Sequence, residues 1–98
     1  MTVTILAMTS INPDNERALE QYQSVVGPLM QTAGAKIVSR LELSDCVVGS
    51  NEFQYATVVE YPDEASMRKV FDSEEYKSLD EVKQLAFSQY QVNTTISM

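Results

Sequence analysis

The stretch "TVTILAM", residues 2–8, is rich in β-branched residues and reads as a strand. Val3, Ile5 and Ala7 fall on one face of it, Leu6 and Met8 on the other. Side chains alternate across a strand, so one that is apolar on both sides needs cover on both sides. Any fold for this chain must therefore bury the first strand between two layers.

Helices supply one of those layers. In "SINPDNERALEQYQSVVGPLMQTAGAK", Leu19, Tyr22, Val26, Leu29, Met30 and Ala33 form one stripe at helical spacing. Asn12 is the expected N-cap and Pro13 the first helical residue, with Asp14 and Glu16 at the positive end of the dipole and Gly34 as the stop. Gly27-Pro28 predicts a kink or a break into two helices, because proline removes a backbone donor and crowds the preceding turn.

"AKIVSRLELSDCVVG" predicts a long strand with Ile37, Leu41 and Leu43 on one face and Val38, Arg40 and Glu42 on the other, with a bulge at Ser44-Asp45. "GSNE" is a turn, and "FQYATVVEY" a third strand. Tyr55, Thr57, Val59 and Tyr61 share one face of that strand; Ala56, Val58 and Glu60 share the other.

The segment "YPDEASMRKVFDSEEYKSL", residues 61–79, starts a helix twice within about ten residues. Pro62 ends the strand, and Asp63 caps a short helix carrying Met67, Val70 and Phe71. Asp72, with Glu75 three residues on, has the form of a second capping box. A second helix, "SEEYKSLDEVKQLAFSQ", then places Tyr76, Leu79, Val82 and Ala86 on one stripe. "YQVNTTISM" closes the chain as a strand, so strands are expected near residues 2–10, 36–48, 53–61 and 90–97.

The order strand, helix, strand, strand, helices, strand predicts an α+β fold: a ferredoxin-like βαββαβ unit with a four-stranded antiparallel sheet and helices on one face. At 98 residues the chain is expected to be a single domain, 1–98. The uncovered face would carry Leu6, Val38, Ala56 and Val58, too large an apolar patch for a monomer of this size. A homodimer joined through the sheet faces is therefore expected.

Two stretches carry a resemblance that covers nearly the whole chain. In "YQSVVGPLMQTAGAKIVSR" a kinked helix ends in glycine before a strand. "VVEYPDEASMRKVFDSEEYKSL" joins a strand-ending aromatic-proline pair to a short helix and a corner. On these the chain resembles the dimeric α+β barrel superfamily, and most of all the small uncharacterised families related to antibiotic-biosynthesis monooxygenases. Glu74 stands where the corner of those families has proline, and Lys83 where they commonly have an arginine. If that arginine binds a ligand in relatives, Lys83 keeps the charge and loses the bidentate fork. The resemblance implies a dimeric α+β barrel. It leaves open cofactor-free oxygenase, isomerase-like and non-catalytic branches.

Composition narrows the chemistry. The sequence contains no histidine, which removes Ser-His-Asp and Cys-His catalysis, histidine metal sites and the haem-dependent branches of the superfamily. Cys46 is the only cysteine, so no internal disulfide is possible; it is expected to be a small buried apolar residue in a cytoplasmic protein. A net charge of −7 with scattered cations argues against nucleic acid and anionic membranes. The acidic runs read as helix caps, so no metal is expected. With three glycines and no phosphate loop, no cofactor is expected either.

The remaining tools are carboxylates, guanidinium groups, amides and phenols. Arg40 and Glu60 are expected to be a cross-strand charged pair and are the catalytic candidates, Glu60 as base and Arg40 as electrophilic group. Tyr76, Tyr22 and Tyr55, with Tyr61 and Tyr90 as further phenols, are candidates to orient an aromatic or enolate ligand. Asn93 is a candidate donor to a ligand oxygen, with an outward strand position as its alternative; Lys83 is a ligand candidate through the resemblance. Three functions stay open: a cofactor-independent monooxygenase-like or isomerase-like enzyme acting on a small aromatic or polyketide-like compound, a non-catalytic small-molecule-binding or stress-associated dimer, and a structural module.

Overall fold

A computed structural model describes residues 2–96; Ser97, the end of the expected last strand, lies outside the described residues. The chain runs β1 (Val3–Ile11), α1 (Glu16–Thr32), β2 (Lys36–Glu42), β3 (Tyr55–Tyr61), α2 (Glu64–Phe71), α3 (Glu74–Lys77), α4 (Asp80–Ala86) and β4 (Phe87–Thr94). The strands form one antiparallel sheet in the order β2-β3-β1-β4. The two-sided apolar strand β1 is an inner strand, with β3 and β4 beside it. Ile5, Val59 and Tyr61 pack against Val26, Met67, Val70, Tyr76 and Leu79, so the helices share one face of the sheet.

The ferredoxin-like topology and one-sided helices match expectation; the barrel does not. The sheet is open, with β2 and β4 as its edges. Three strand spacings separate those edges by about 14 Å. The dimeric α+β barrel implied by the resemblance is therefore corrected to an open four-stranded sheet.

Local departures have local causes. Asn15, not Asn12, caps α1, its Oδ1 accepting from the Ala18 N–H. Asn12 is engaged in a turn instead, its Oδ1 accepting from the Asp14 N–H and its Nδ2 donating to the Leu85 carbonyl. Helix α1 runs unbroken through Pro28. Val26 before the proline and Leu29 and Met30 after it pack into the same core. That packing outweighs a proline penalty of about 3 kcal/mol. Gly34 stops the helix with φ +79°, and a Cβ there would lie 3.1 Å from Pro62 Cγ, so the end of α1 meets the end of β3 closely.

Asp63 caps α2 as expected, accepting from the Ser66 N–H, which holds its carboxyl below the usual range. The second cap is Ser73: its Oγ accepts from the Tyr76 N–H and donates to the Val70 carbonyl. Asp72 ends α2 instead. The expected second helix is two, α3 and α4, divided at Ser78-Leu79, because the buried Leu79 turns into the core there. Strand β2 stops at Glu42, leaving residues 43–54 as a loop. Cys46, expected to be buried, is exposed in that loop with Val47 and Val48.

Candidate functional site

One extra residue decides which side chains meet. In the β2–β3 ladder Ile37 pairs with Val59, but the next pair is Ser39 with Val58, so Val38 is a bulge. Past a one-residue bulge every side chain changes face. Arg40 and Glu42 therefore oppose Thr57 and Tyr55 on the helix-covered face, while Leu41 opposes Ala56 on the bare face. Glu60 lies on the bare face, opposite Lys36 and Thr4. The expected Arg40–Glu60 pair does not exist: the two residues sit on opposite faces. The bulge expected at Ser44-Asp45 falls beyond the end of β2.

On the covered face the bulge completes two rows across the sheet. One is Arg40, Thr57, Ala7, Val92; the other is Glu42, Tyr55, Thr9, Tyr90. Small side chains at Ala7, Thr9 and Thr57 hold the floor low between larger neighbours. The result is a cleft of about 820 Å³ between the sheet and α1, walled by Tyr22 and Val26. It opens at β2, where every residue but Ser39 is exposed. Arg40 stands at this mouth and forms no ion pair among the described residues.

The inner end of the cleft is phenolic. Tyr22 and Tyr90 line it, packing edge-on against each other and around Phe87, with centroids 5.0 to 6.0 Å apart. Their hydroxyls are 2.7 Å apart, and the Tyr90 hydroxyl is also 2.7 Å from that of Tyr76. Lys83 Nζ lies 3.4 Å from the Tyr76 hydroxyl and 4.4 Å from its ring centroid, and only 20% of its side chain is exposed. Burial is the main reason that all three hydroxyls are pushed well above the usual phenol range. They are thus neutral donors near neutral pH and poor bases. Tyr61, beside the cleft, is pushed up to about 12 by burial, and its buried hydroxyl has no partner among the described residues.

The structure thus gathers Tyr22, Tyr76 and Lys83 with Tyr90, and puts Tyr55 on the cleft floor. It leaves Glu60 and Asn93 outside: Asn93 opposes Leu6 on the bare face, where its Oδ1 accepts from Gln91 Nε2. Glu42 was not singled out from the sequence, because only the unmarked bulge brings it to the cleft. Among the described residues no group of three His, Cys, Asp or Glu could hold a metal ion, and no helix is long and apolar enough to cross a membrane.

Residues 4–93 match the family described as a domain of unknown function, DUF1330. No curated protein matches the sequence. Among solved structures, the RPA0582 protein of unknown function from Rhodopseudomonas palustris is 17% identical, with a TM-score of 0.81 over 99% of this chain and 82% of that one. SnoaB, a cofactor-independent oxygenase from Streptomyces nogalater, is 8% identical, with a TM-score of 0.63 over 99% and 93%. A dimeric protein of unknown function and ferredoxin-like fold from Bacteroides fragilis is 7% identical, with a TM-score of 0.57 over 96% and 94%. At these identities the likeness concerns the fold.

Proposed function

The chain belongs to the DUF1330 family, and from that premise we propose that it binds a small, flat, oxygen-bearing compound, aromatic or polyketide-like, in the cleft on the covered face. The observation that carries this reading is the pair of neutral phenols, Tyr22 and Tyr90, at the end of a cleft whose floor combines the small side chains Ala7, Thr9 and Thr57. Its volume of about 820 Å³ lies in the range of small-molecule sites. Rings stack against Tyr22, Phe87 and Tyr90, Tyr55 packs beneath, and Arg40 holds a negative group at the mouth. Tyr76 and Lys83 act from behind. Titration with 4-hydroxybenzoate followed by calorimetry tests this. Saturable binding that weakens in Tyr22→Phe and Arg40→Ala is expected; binding unchanged in both variants would place the site elsewhere.

A second reading, cofactor-independent oxygenation or isomerisation, is favoured by the row that sets the Glu42 carboxylate in line with Tyr55, Thr9 and Tyr90. Glu42 replaces Glu60 there as the base, and the fold it shares with SnoaB is compatible. In such an oxygenation the base takes a proton and the substrate carbanion supplies the electrons to O2. One oxygen atom stays in the oxidised product and the other leaves as water. Oxygen uptake with quinol substrates, abolished in Glu42→Gln, separates this reading from binding alone.

A second copy is the proposed partner, covering the bare face through Leu6, Met8, Ala56 and Val58. The molecule measures 36 × 35 × 16 Å, a thin slab, and exposes 6942 Å². A folded monomer of this mass, 11.0 kDa, exposes about 5,600 Å². Burying part of that excess in a homodimer brings the chain back to the usual ratio. Sedimentation at micromolar concentration should give the dimer mass; a stable monomer would oppose it. An exposed thiol at Cys46 suits a reducing compartment, and the cytoplasm is the location inferred.

A further inference from the structure

We infer that Lys83, Tyr76, Tyr90 and Tyr22 form a donor chain of fixed direction that ends at the cleft, so that the ligand oxygen it receives is an anionic acceptor: a phenolate, an enolate or a carboxylate. This rests on the binding reading above and adds the chemistry that the inner end of the cleft selects. The direction follows from what each group can do. A lysine ammonium has three donors and no acceptor. Lys83 lies 3.4 Å from the Tyr76 hydroxyl and 3.6 Å from Asp80, so the Tyr76 oxygen accepts from it. The single Tyr76 hydroxyl hydrogen is then free only for Tyr90, 2.7 Å away. Tyr90, accepting there, donates to Tyr22 at 2.7 Å.

The reverse order would aim the Tyr76 hydrogen at the Lys83 ammonium, hydrogen against hydrogen. Tyr22 is therefore left with a hydroxyl hydrogen that turns either back to the nearby Tyr76 oxygen or to a ligand in the cleft that Tyr22 lines. Each bond in such a chain polarises the next, so the cation at Lys83 strengthens the Tyr22 donor without touching the ligand. The Lys83 ammonium also sits 4.4 Å from the Tyr76 ring centroid and 5.2 Å from that of Tyr90, which keeps it in place inside the aromatic group. Lys83, Tyr76 and Tyr90 are positioning residues; Tyr22 makes the contact. A ligand that offers only donors, such as an ammonium group, meets a hydrogen there and is rejected.

The probe is 4-nitrophenol, whose absorbance distinguishes phenol from phenolate, with 4-nitroanisole as a neutral control of similar shape. The wild-type protein should bind the phenolate preferentially, lowering the pKa of the bound probe relative to the free one. Tyr22→Phe should abolish that shift. Lys83→Met and Tyr76→Phe should each raise the bound pKa by about one unit, a tenfold loss of preference for phenolate, and Lys83→Arg should restore it. Affinity for 4-nitroanisole should not change in Lys83→Met or Tyr76→Phe, neither of which touches the ligand, and a merely structural role for Lys83 would not predict this. A probe that binds with its pKa unshifted, or a shift that survives in both Lys83→Met and Tyr76→Phe, overturns the directed chain and leaves the binding reading standing. No binding of either compound to the wild type overturns both.

Discussion

The two faces of one sheet use similar apolar residues to opposite ends. On the bare face Leu6, Met8, Ala56 and Val58 alternate with Thr4, Glu60 and Asn93, and side chains of middling size leave a flat surface. On the covered face large and small side chains are sorted by position. Ile5, Val59 and Tyr61 fill the space under the helices at one end, while Ala7, Thr9 and Thr57 hold the floor low near the middle. Flat apolar surfaces suit another flat surface; a low floor beneath an aromatic wall suits a small ligand. The same alternation thus separates the proposed association face from the proposed binding face, with only one strand thickness between them.

That division can be broken from either side. Val58→Asp puts a carboxylate into the middle of the bare face. Burying it unpaired costs several kcal/mol, so the dimer dissociation constant should rise at least about a hundredfold in sedimentation. Affinity for 4-hydroxybenzoate should hold, and its loss would mean that the two faces are not independent. On the covered face Thr57→Leu raises the cleft floor. It should weaken 4-hydroxybenzoate at least about tenfold by calorimetry, with the melting temperature unchanged or higher, because the added methyl groups fill space rather than crowd a packed core. A drop in melting temperature with binding intact would show that the floor is already filled.

Smaller effects test the edges of the comparison. Gly34→Ala forces a Cβ onto a backbone at φ +79° and toward Pro62 Cγ at 3.1 Å, where α1 and β3 meet under the covered face. It should destabilise by about 1–2 kcal/mol in denaturant unfolding. Tyr90→Phe removes the hydroxyl that joins Tyr22 and Tyr76 and should cost about 1 kcal/mol. Tyr61→Phe should be neutral or slightly stabilising in the same experiment, since it removes a buried hydroxyl with no partner among the described residues. Equal losses in the two tyrosine variants would mean that Tyr61 has a partner.

The order of strands and helices was legible because alternation, caps and glycine act locally. Asp63 and Gly34 do in the structure what their chemistry announces. The candidate site was legible only in part. Tyr22 and Tyr76 come from a stripe and a corner whose geometry short-range spacing constrains, Lys83 from the family resemblance, and the three converge. Arg40 and Glu60 depended on counting residues along β2, and the bulge at Val38 spoiled the count. Isoleucine followed by valine looks the same in a regular strand and in a bulge. Nothing in the composition of that segment marks the extra residue or shows that Glu42 turns to the cleft. The burial expected for Cys46 failed for a related reason. Val47 and Val48 read as strand, but no partner strand runs opposite them, and they end as exposed loop. The open edges at β2 and β4 are likewise a property of the assembled sheet, which no single segment encodes.

Nuclear Overhauser contacts between the ring protons of bound 4-hydroxybenzoate and the methyl groups of the sheet decide most directly between the two faces. Contacts to Ala7, Val59 and Val92 are expected, with none to Leu6, Met8 or Val58. Saturable binding with contacts only to Leu6, Met8 and Val58 would contradict the assignment of the covered face as the binding face.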